Sequence, residues 1–185
     1  MNVLAGLLVG EVAAAARGLL GRTLRSRIEG LDCAVTITEV EAYGGADDPA
    51  SHGYRGRTRG NASMFGPGGT LYVYRSYGVH WCLNVVTGAE GVASAVLLRA
   101  GVPVMGVVHM EQRRGRGDHL ADGPGKLAQA LGITGEHDGS SLLTGSVRIE
   151  GDPVAGRIVA GPRVGINRAV ERSLRFRLLP EQDAP

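Results

Sequence analysis

The amino-acid sequence predicts an α+β fold, largely antiparallel, in one domain spanning residues 1–185. Three observations lead there. The length suits a domain that buries a substantial core. Short strand-like runs recur with turn signals between them. The 30 glycines cluster in stretches such as "GPGGT" and "EGDPVAG", which fits short strands joined by tight turns, with few long helices.

In chain order, residues 4–20 have helical composition, interrupted at Gly10 and Gly18, with Gly21 as a stop. "TLRSRI" and "CAVTITEVEAY" read as a hairpin about a turn at Glu29–Asp32. Residues 44–69 form a polar loop, and a loop of that length inside a compact domain is functional or disordered. Strands follow at 70–77, 80–86 and 93–100, the first two separated by Gly78 and Val79 as in a tight hairpin. A helix is expected around 103–113, ending in "RRGR", and another in "GPGKLAQALGI", closed by Gly132. "SVRIEG", "RIVAGPRVGINR" and "LRFRLL" read as further short strands. No internal repeat or domain linker interrupts the pattern.

Charged residues make up 21% and hydrophobic ones 43%, a globular balance. The net charge of +2 permits a nucleic-acid partner without demanding one. Only Lys126 of the 20 basic residues is Lys; the rest are Arg, which suits bidentate phosphate contact and is equally the mark of a biased genome. Cys33 and Cys82 lack C-x-x-C spacing, so a reduced cytosolic pair is expected and a zinc site is not. The apolar N-terminal stretch lacks a basic leader region and is interrupted by Glu11, which argues against a signal peptide. No run approaches a membrane span. A soluble, cytoplasmic protein is expected.

Several side chains invite chemistry. In "ITEVEAY" a period of two puts Val35, Ile37, Glu39, Glu41 and Tyr43 on one face, and Ala34, Thr36, Thr38, Val40 and Ala42 on the other. On that reading a core-facing row ends in acids. Tyr72 and Tyr74 share a strand face and Tyr77 sits at the strand end, forming either a packing cluster or a stacking platform with a protruding wedge. Asp47, Asp48 and His52 lie in the long loop with weak metal-ligand spacing. Arg55, Arg57 and Arg59 make that loop basic, either solvated or phosphate-binding. Arg99 follows an apolar run and needs an acceptor, for which Glu41 is the candidate; the two form a structural ion pair or hold a water between them. Asn84 faces with Cys82 rather than with Trp81. There is no G-x-S-x-G and no P-loop, and Lys126 falls in the first turn of a short helix, where amides could also take a phosphate.

Taken in order, "EVEAY", "DDPASH", "NASMFGPGGTLYVYRSYGVHWCLNVV", "AVLLRA", "GPGKLAQALGI" and "RVGI" resemble the alkyladenine DNA glycosylase family, also called 3-methyladenine DNA glycosylases. The resemblance covers about residues 8–179. It implies a mainly antiparallel, curved sheet core with flanking short helices, like that of formyltransferase C-terminal domains. It also implies excision of alkylated or deaminated purines, such as 3-methyladenine, hypoxanthine and ethenoadenine. By the same resemblance Glu41 is the general base, Arg99 helps hold the attacking water, and Val164 contributes a backbone carbonyl. Tyr43, His52 and Tyr74 sandwich and read the flipped base, Asn84 crowds a guanine amino group, and Tyr77 is the wedge inserted into the duplex. Glu39 is left without a role beyond pairing with an arginine. The chain departs from animal members after Gly78, where it carries smaller residues, and in lacking their extended N-terminal region, as compact bacterial forms do.

The implied partner is double-stranded DNA containing damaged purines, met by a monomer without membrane contact. No metal or cofactor is implied. With Lys126 the sole lysine, an amine-mediated strand cut is not expected. Arg55, Arg57, Arg59 and Lys126 are the candidate contacts to the DNA backbone. Two other readings compete: a binding module of the same fold without catalysis, and a metal-dependent hydrolase using Glu39, Glu41, Asp47, Asp48 and His52.

Overall fold

A thirteen-residue strand, Leu31–Tyr43 (β2), is the spine of the protein, seen here in a computed structural model that describes residues 3–181. Thr23–Ile28 (β1) pairs with its first half and Arg175–Leu179 (β8) with Glu39–Glu41, while Ser94–Met105 (β5) runs along its other edge. Leu71–Ser76 (β3) and His80–Thr87 (β4) extend the sheet beyond β5. Val147–Glu150 (β6) lies beyond β1, and Arg157–Gly161 (β7) beyond β8. Among the described residues all eight strands are antiparallel neighbours in one curved sheet, so the α+β class stands. Helices Val3–Leu8 (α1), Val12–Leu19 (α2), Val107–Arg114 (α3) and Pro124–Leu131 (α4) flank it. None of the helices among the described residues is long and apolar enough to cross a membrane.

Several boundaries differ from the expectation. The helix placed around 103–113 begins only at Val107, because Val102, Pro103 and Met105 pair with Thr36, Val35 and Ala34 and extend β5. Ladder pairing of β-branched residues overrides the helical pattern there. Gly18 does not interrupt α2; it lets that helix approach α1, since a Cβ on Gly18 would come within 2.7 Å of Leu7. The first hairpin turns on Glu29 and Gly30 alone, both at positive φ, as two-residue hairpin loops require. The β3–β4 connection holds three residues, Tyr77, Gly78 and Val79. A 3₁₀ segment, Arg59–Phe65, lies inside the long loop. Only the first part of "RIVAGPRVGINR" is strand; from Pro162 to Leu174 the chain is irregular.

The alternation in β2 is where the sequence misleads. Cys33, Val35 and Ile37 belong to the main core, but so do Val40 and Ala42, so the buried face passes from odd to even positions. Register shifts on either side of Glu39 make the change, with Ile37 opposite Gly101, Glu39 opposite Ala100 and Val40 opposite Leu98. Gly101 is required, because a Cβ there would stand 2.7 Å from Val35 Cγ2 and 2.8 Å from the Thr36 carbonyl oxygen. Glu39, Glu41 and Tyr43 are therefore not the end of a core-facing row. They share the opposite face with Tyr74, Cys82, Asn84, Leu97 and Arg99, while the core takes Leu71, Val73, Leu83, Val85, Val96 and Leu98.

Candidate active site

On that second face the sheet floors a cleft of about 680 Å³. Tyr72, Asn84, Leu97, Glu41 and Arg175 stand opposite one another in turn on β3, β4, β5, β2 and β8, a row that no single strand reveals.

Glu41 has no exposed surface. Its Oε1 accepts the backbone N–H of Val164 at 2.8 Å; its Oε2 accepts the Tyr43 hydroxyl at 2.8 Å and Arg99 Nη1 at 3.2 Å. Three donors on one carboxylate make its burial tolerable. Val164 thus meets Glu41 through its amide, a different group from the carbonyl that the resemblance implies. Arg99 also donates through Nε to Glu39 Oε1 at 2.7 Å, and Arg175 Nε reaches the same oxygen at 2.8 Å. Burial opposes the Arg99 charge, but Glu41 and Glu39 outweigh it and raise its pKa. Burial likewise opposes the Glu39 charge, and the bonds from Arg175 and Arg99 overcome it, lowering its pKa. Glu39 is therefore the arginine partner it was expected to be.

Aromatic rings form one wall. His52 Nδ1 and the Tyr72 hydroxyl are 3.0 Å apart, the His52 ring meets Tyr74 edge-on at 4.5 Å, and Tyr72 and Tyr74 are 5.6 Å apart. The loop carrying His52 is held by Asn61, which donates to the His52 and Gly56 carbonyls and accepts the Thr58 amide. One edge of His52 is open, yet the crowding rings push its pKa down by burial. The unfolded chain therefore takes up this proton first as pH falls. The stability contributed by neutral His52 is complete above about pH 6.5 and is lost as pH falls through the depressed folded value. His52→Gln should flatten this part of the stability curve in urea titrations at successive pH values. An unaltered curve would show that His52 does not carry it.

Arg163 closes the site from behind Tyr43. Its guanidinium forks onto Asp48 at 2.5 and 2.9 Å and donates to the Ala42 carbonyl at 3.0 Å. Asp48 also accepts the Gly44 and Ala50 amides. Removing one partner of a pair buried this deeply costs about 3–5 kcal/mol.

Tyr43, His52, Tyr74, Asn84, Arg99, Val164, Tyr77 and Arg55 all line the cleft, with Glu41 beneath them. Asn84 Nδ2 is tied to the Tyr72 carbonyl at 3.1 Å. Tyr77 is 92% exposed at the hairpin tip, with φ +50. Arg57 and Arg59 are exposed but do not line the cleft, and Lys126 pairs with Asp122 at 2.8 Å. Sequence reasoning overlooked Arg75 and Arg168 at the cleft, and also Arg163, Arg175 and Asn61. Only the "RVGI" segment, quoted for Val164, pointed near Arg163. The carboxylates of the metal-hydrolase reading do not converge, since Glu39, Glu41 and Asp48 are each engaged by an arginine. Among the described residues no three of His, Cys, Asp and Glu are placed to share a metal ion.

A ring-lined cleft over a buried, donor-held carboxylate, with arginines along it, suits a flat heteroaromatic group carried on an anionic backbone. The chain belongs to the methylpurine-DNA glycosylase (MPG) family, whose model matches residues 8–182. Relatives provisionally named 3-methyladenine DNA glycosylase include one from Methanoculleus marisnigri, 50% identical over 175 residues, covering 91% of this chain and 90% of its own. One from Nocardia farcinica is 49% identical over 181 residues, covering 91% and 84%. One from Rhodopseudomonas palustris (strain BisB18) is 54% identical over 144 residues, covering 77% and 72%. The protein is thus a DNA glycosylase of DNA repair, with DNA as its substrate.

Proposed function

We propose that this glycosylase, acting as one domain and as a monomer, removes alkylated and deaminated purines of the 3-methyladenine, hypoxanthine and ethenoadenine class from duplex DNA by hydrolysis. The observation that carries the reading is the convergence of Arg99, the Val164 amide and the Tyr43 hydroxyl on the buried Glu41. In this reading Tyr77 fills the gap left in the duplex while the damaged nucleotide turns into the cleft, an extrusion that costs a few kcal/mol. Tyr43, His52 and Tyr74 pack against the base. A cationic alkylated purine gains about 0.5–2 kcal/mol from such rings, and the neutral state of His52 avoids repelling it. Asn84 narrows the cleft against a guanine amino group.

Val164 fills one acceptor site of Oε1, and Tyr43 and Arg99 fill those of Oε2, so the remaining site on Oε1 takes the proton of the attacking water once the site opens to admit it. The water oxygen bonds to C1′ as the glycosidic C–N bond breaks, the base leaves with that electron pair, and Glu41 takes the water proton. A cationic base leaves neutral and needs no acid. Arg55, Arg57, Arg59 and Lys126 follow the DNA backbone, Lys126 after release from Asp122.

The test is single-turnover base release from duplexes containing hypoxanthine, ethenoadenine or 3-methyladenine, in excess chelator. Release by the wild type supports the reading; DNA binding without release would reduce the protein to a binding module. The wedge has its own signature. Tyr77→Gly relieves a positive-φ residue, so stability should hold or rise by up to ~1 kcal/mol. Release from duplex should fall about tenfold or more as extrusion loses its plug, while release from single strands changes less. Equal losses on both substrates would remove the wedge role.

A further inference from the structure

The hydrolysis makes no use of the most deeply buried ion pair in the site. Arg163 and Asp48 side chains are 0% and 1% exposed. The Arg163 guanidinium carbon lies 4.6 Å from the centroid of the Tyr43 ring. Tyr43 lines the cleft and Arg163 does not, so the cation covers the ring from the side away from the ligand space. The partly exposed Arg172 lies 4.0 Å from the same Asp48 carboxylate.

A cation against one face of a ring draws electron density toward itself and weakens the other face as a seat for a second cation. Unbalanced, it would also repel a positively charged base directly. Asp48 balances it. Burial opposes both charges, yet their contact lowers the Asp48 pKa and raises that of Arg163, so the pair is held ionised.

We propose that the Asp48–Arg163 pair is a specificity-determining positioning element: it fixes the back of Tyr43 with a cation that Asp48 has already neutralised, so the cleft side accepts positively charged alkylated purines as well as neutral ones. The inference rests on the reading of Tyr43 as a stacking surface. Arg163 acts through Tyr43 and touches no reacting atom. The same strut seats the next residue, Val164, with its amide on Glu41.

The test compares single-turnover release of a cationic base, 3-methyladenine, with that of a neutral one, hypoxanthine, and reads the ratio. Asp48→Asn keeps the side-chain shape but leaves the Arg163 charge unbalanced. It should lower the cationic-to-neutral ratio by about tenfold. Arg163→Met leaves Asp48, still near Arg172, behind the ring and should raise the ratio about threefold. The double variant removes both charges and should return the ratio to near the wild-type value. A purely structural role would slow both lesions alike and leave the ratio still. An unchanged ratio in either single variant that folds, or a depressed one in the double variant, overturns the proposal. Tyr43→Ala separates the two readings. If it releases both bases at the wild-type rate, Tyr43 is no stacking surface and the site reading fails. If it is defective while Asp48→Asn leaves the ratio unchanged, only the role of the ion pair fails.

Discussion

Glu41→Gln should slow single-turnover base release by about 10²–10⁴-fold, the usual contribution of a general base, while DNA binding stays within a fewfold of the wild type. The binding surface is untouched, because Glu41 is covered and contributes nothing to the cleft wall. Gln keeps the shape but supplies one acceptor oxygen where Glu supplies two. An amide nitrogen must then face either the Val164 amide or the Tyr43 and Arg99 donors. Donor facing donor loses at least one hydrogen bond, about 1–3 kcal/mol of stability. The defect in release should therefore persist at temperatures where the variant is fully folded, as judged by circular dichroism on the same sample. Release within tenfold of the wild type would take the base role away from Glu41 and leave its three donors as scaffolding.

The parts of this site that were legible in the sequence are those where a charge interrupts an apolar strand. Arg99 at the end of "AVLLRA" and Glu41 in "EVEAY" each demand a partner because water is excluded around them, and they meet at 3.2 Å. That Tyr72 and Tyr74 share one face followed from a period of two in a strand without irregularities. The face that carries Glu41 was not legible. A bulge changes which positions point inward, and its only local trace is Gly101, on a different strand from the one it re-aims.

The ion pair behind Tyr43 was hidden for another reason. Asp48 and Arg163 are 115 residues apart, both in irregular segments where no periodicity assigns a face. Asp48 looked like a metal ligand beside Asp47 and His52, and only the fold shows that its oxygens are taken by Arg163 and two loop amides. Lys126 illustrates the converse: its place at a helix start suggested a phosphate contact, while Asp122, four residues earlier, already holds its ammonium group.

The second large effect belongs to Arg99, whose side chain bonds to both Glu39 and Glu41. Arg99→Met keeps the length of the apolar stem and removes the cation. Glu39 retains Arg175 at 2.8 Å, but Glu41 is left with two neutral donors and no positive charge in contact. Stranding a buried carboxylate this way should cost about 3 kcal/mol, the low end for a broken buried pair because Arg99 itself is 15% exposed. That corresponds to a fall in Tm of roughly 6–12 °C for a chain of this size. Base release should fall by at least about tenfold as well, since Glu41 loses the guanidinium that helps fix its carboxylate. The Glu41→Gln/Arg99→Met double variant distinguishes a coupled pair from two separate contributors. Once the carboxylate is gone, losing the guanidinium strands no charge, so the double variant should be more stable than the sum of the single losses by about 1–2 kcal/mol. Additive losses in the denaturation midpoints would mean that Glu39, and not Glu41, is what Arg99 stabilises. In that case Glu39→Gln would show the coupling, and its effect on release would exceed the small one expected of a residue held between two arginines.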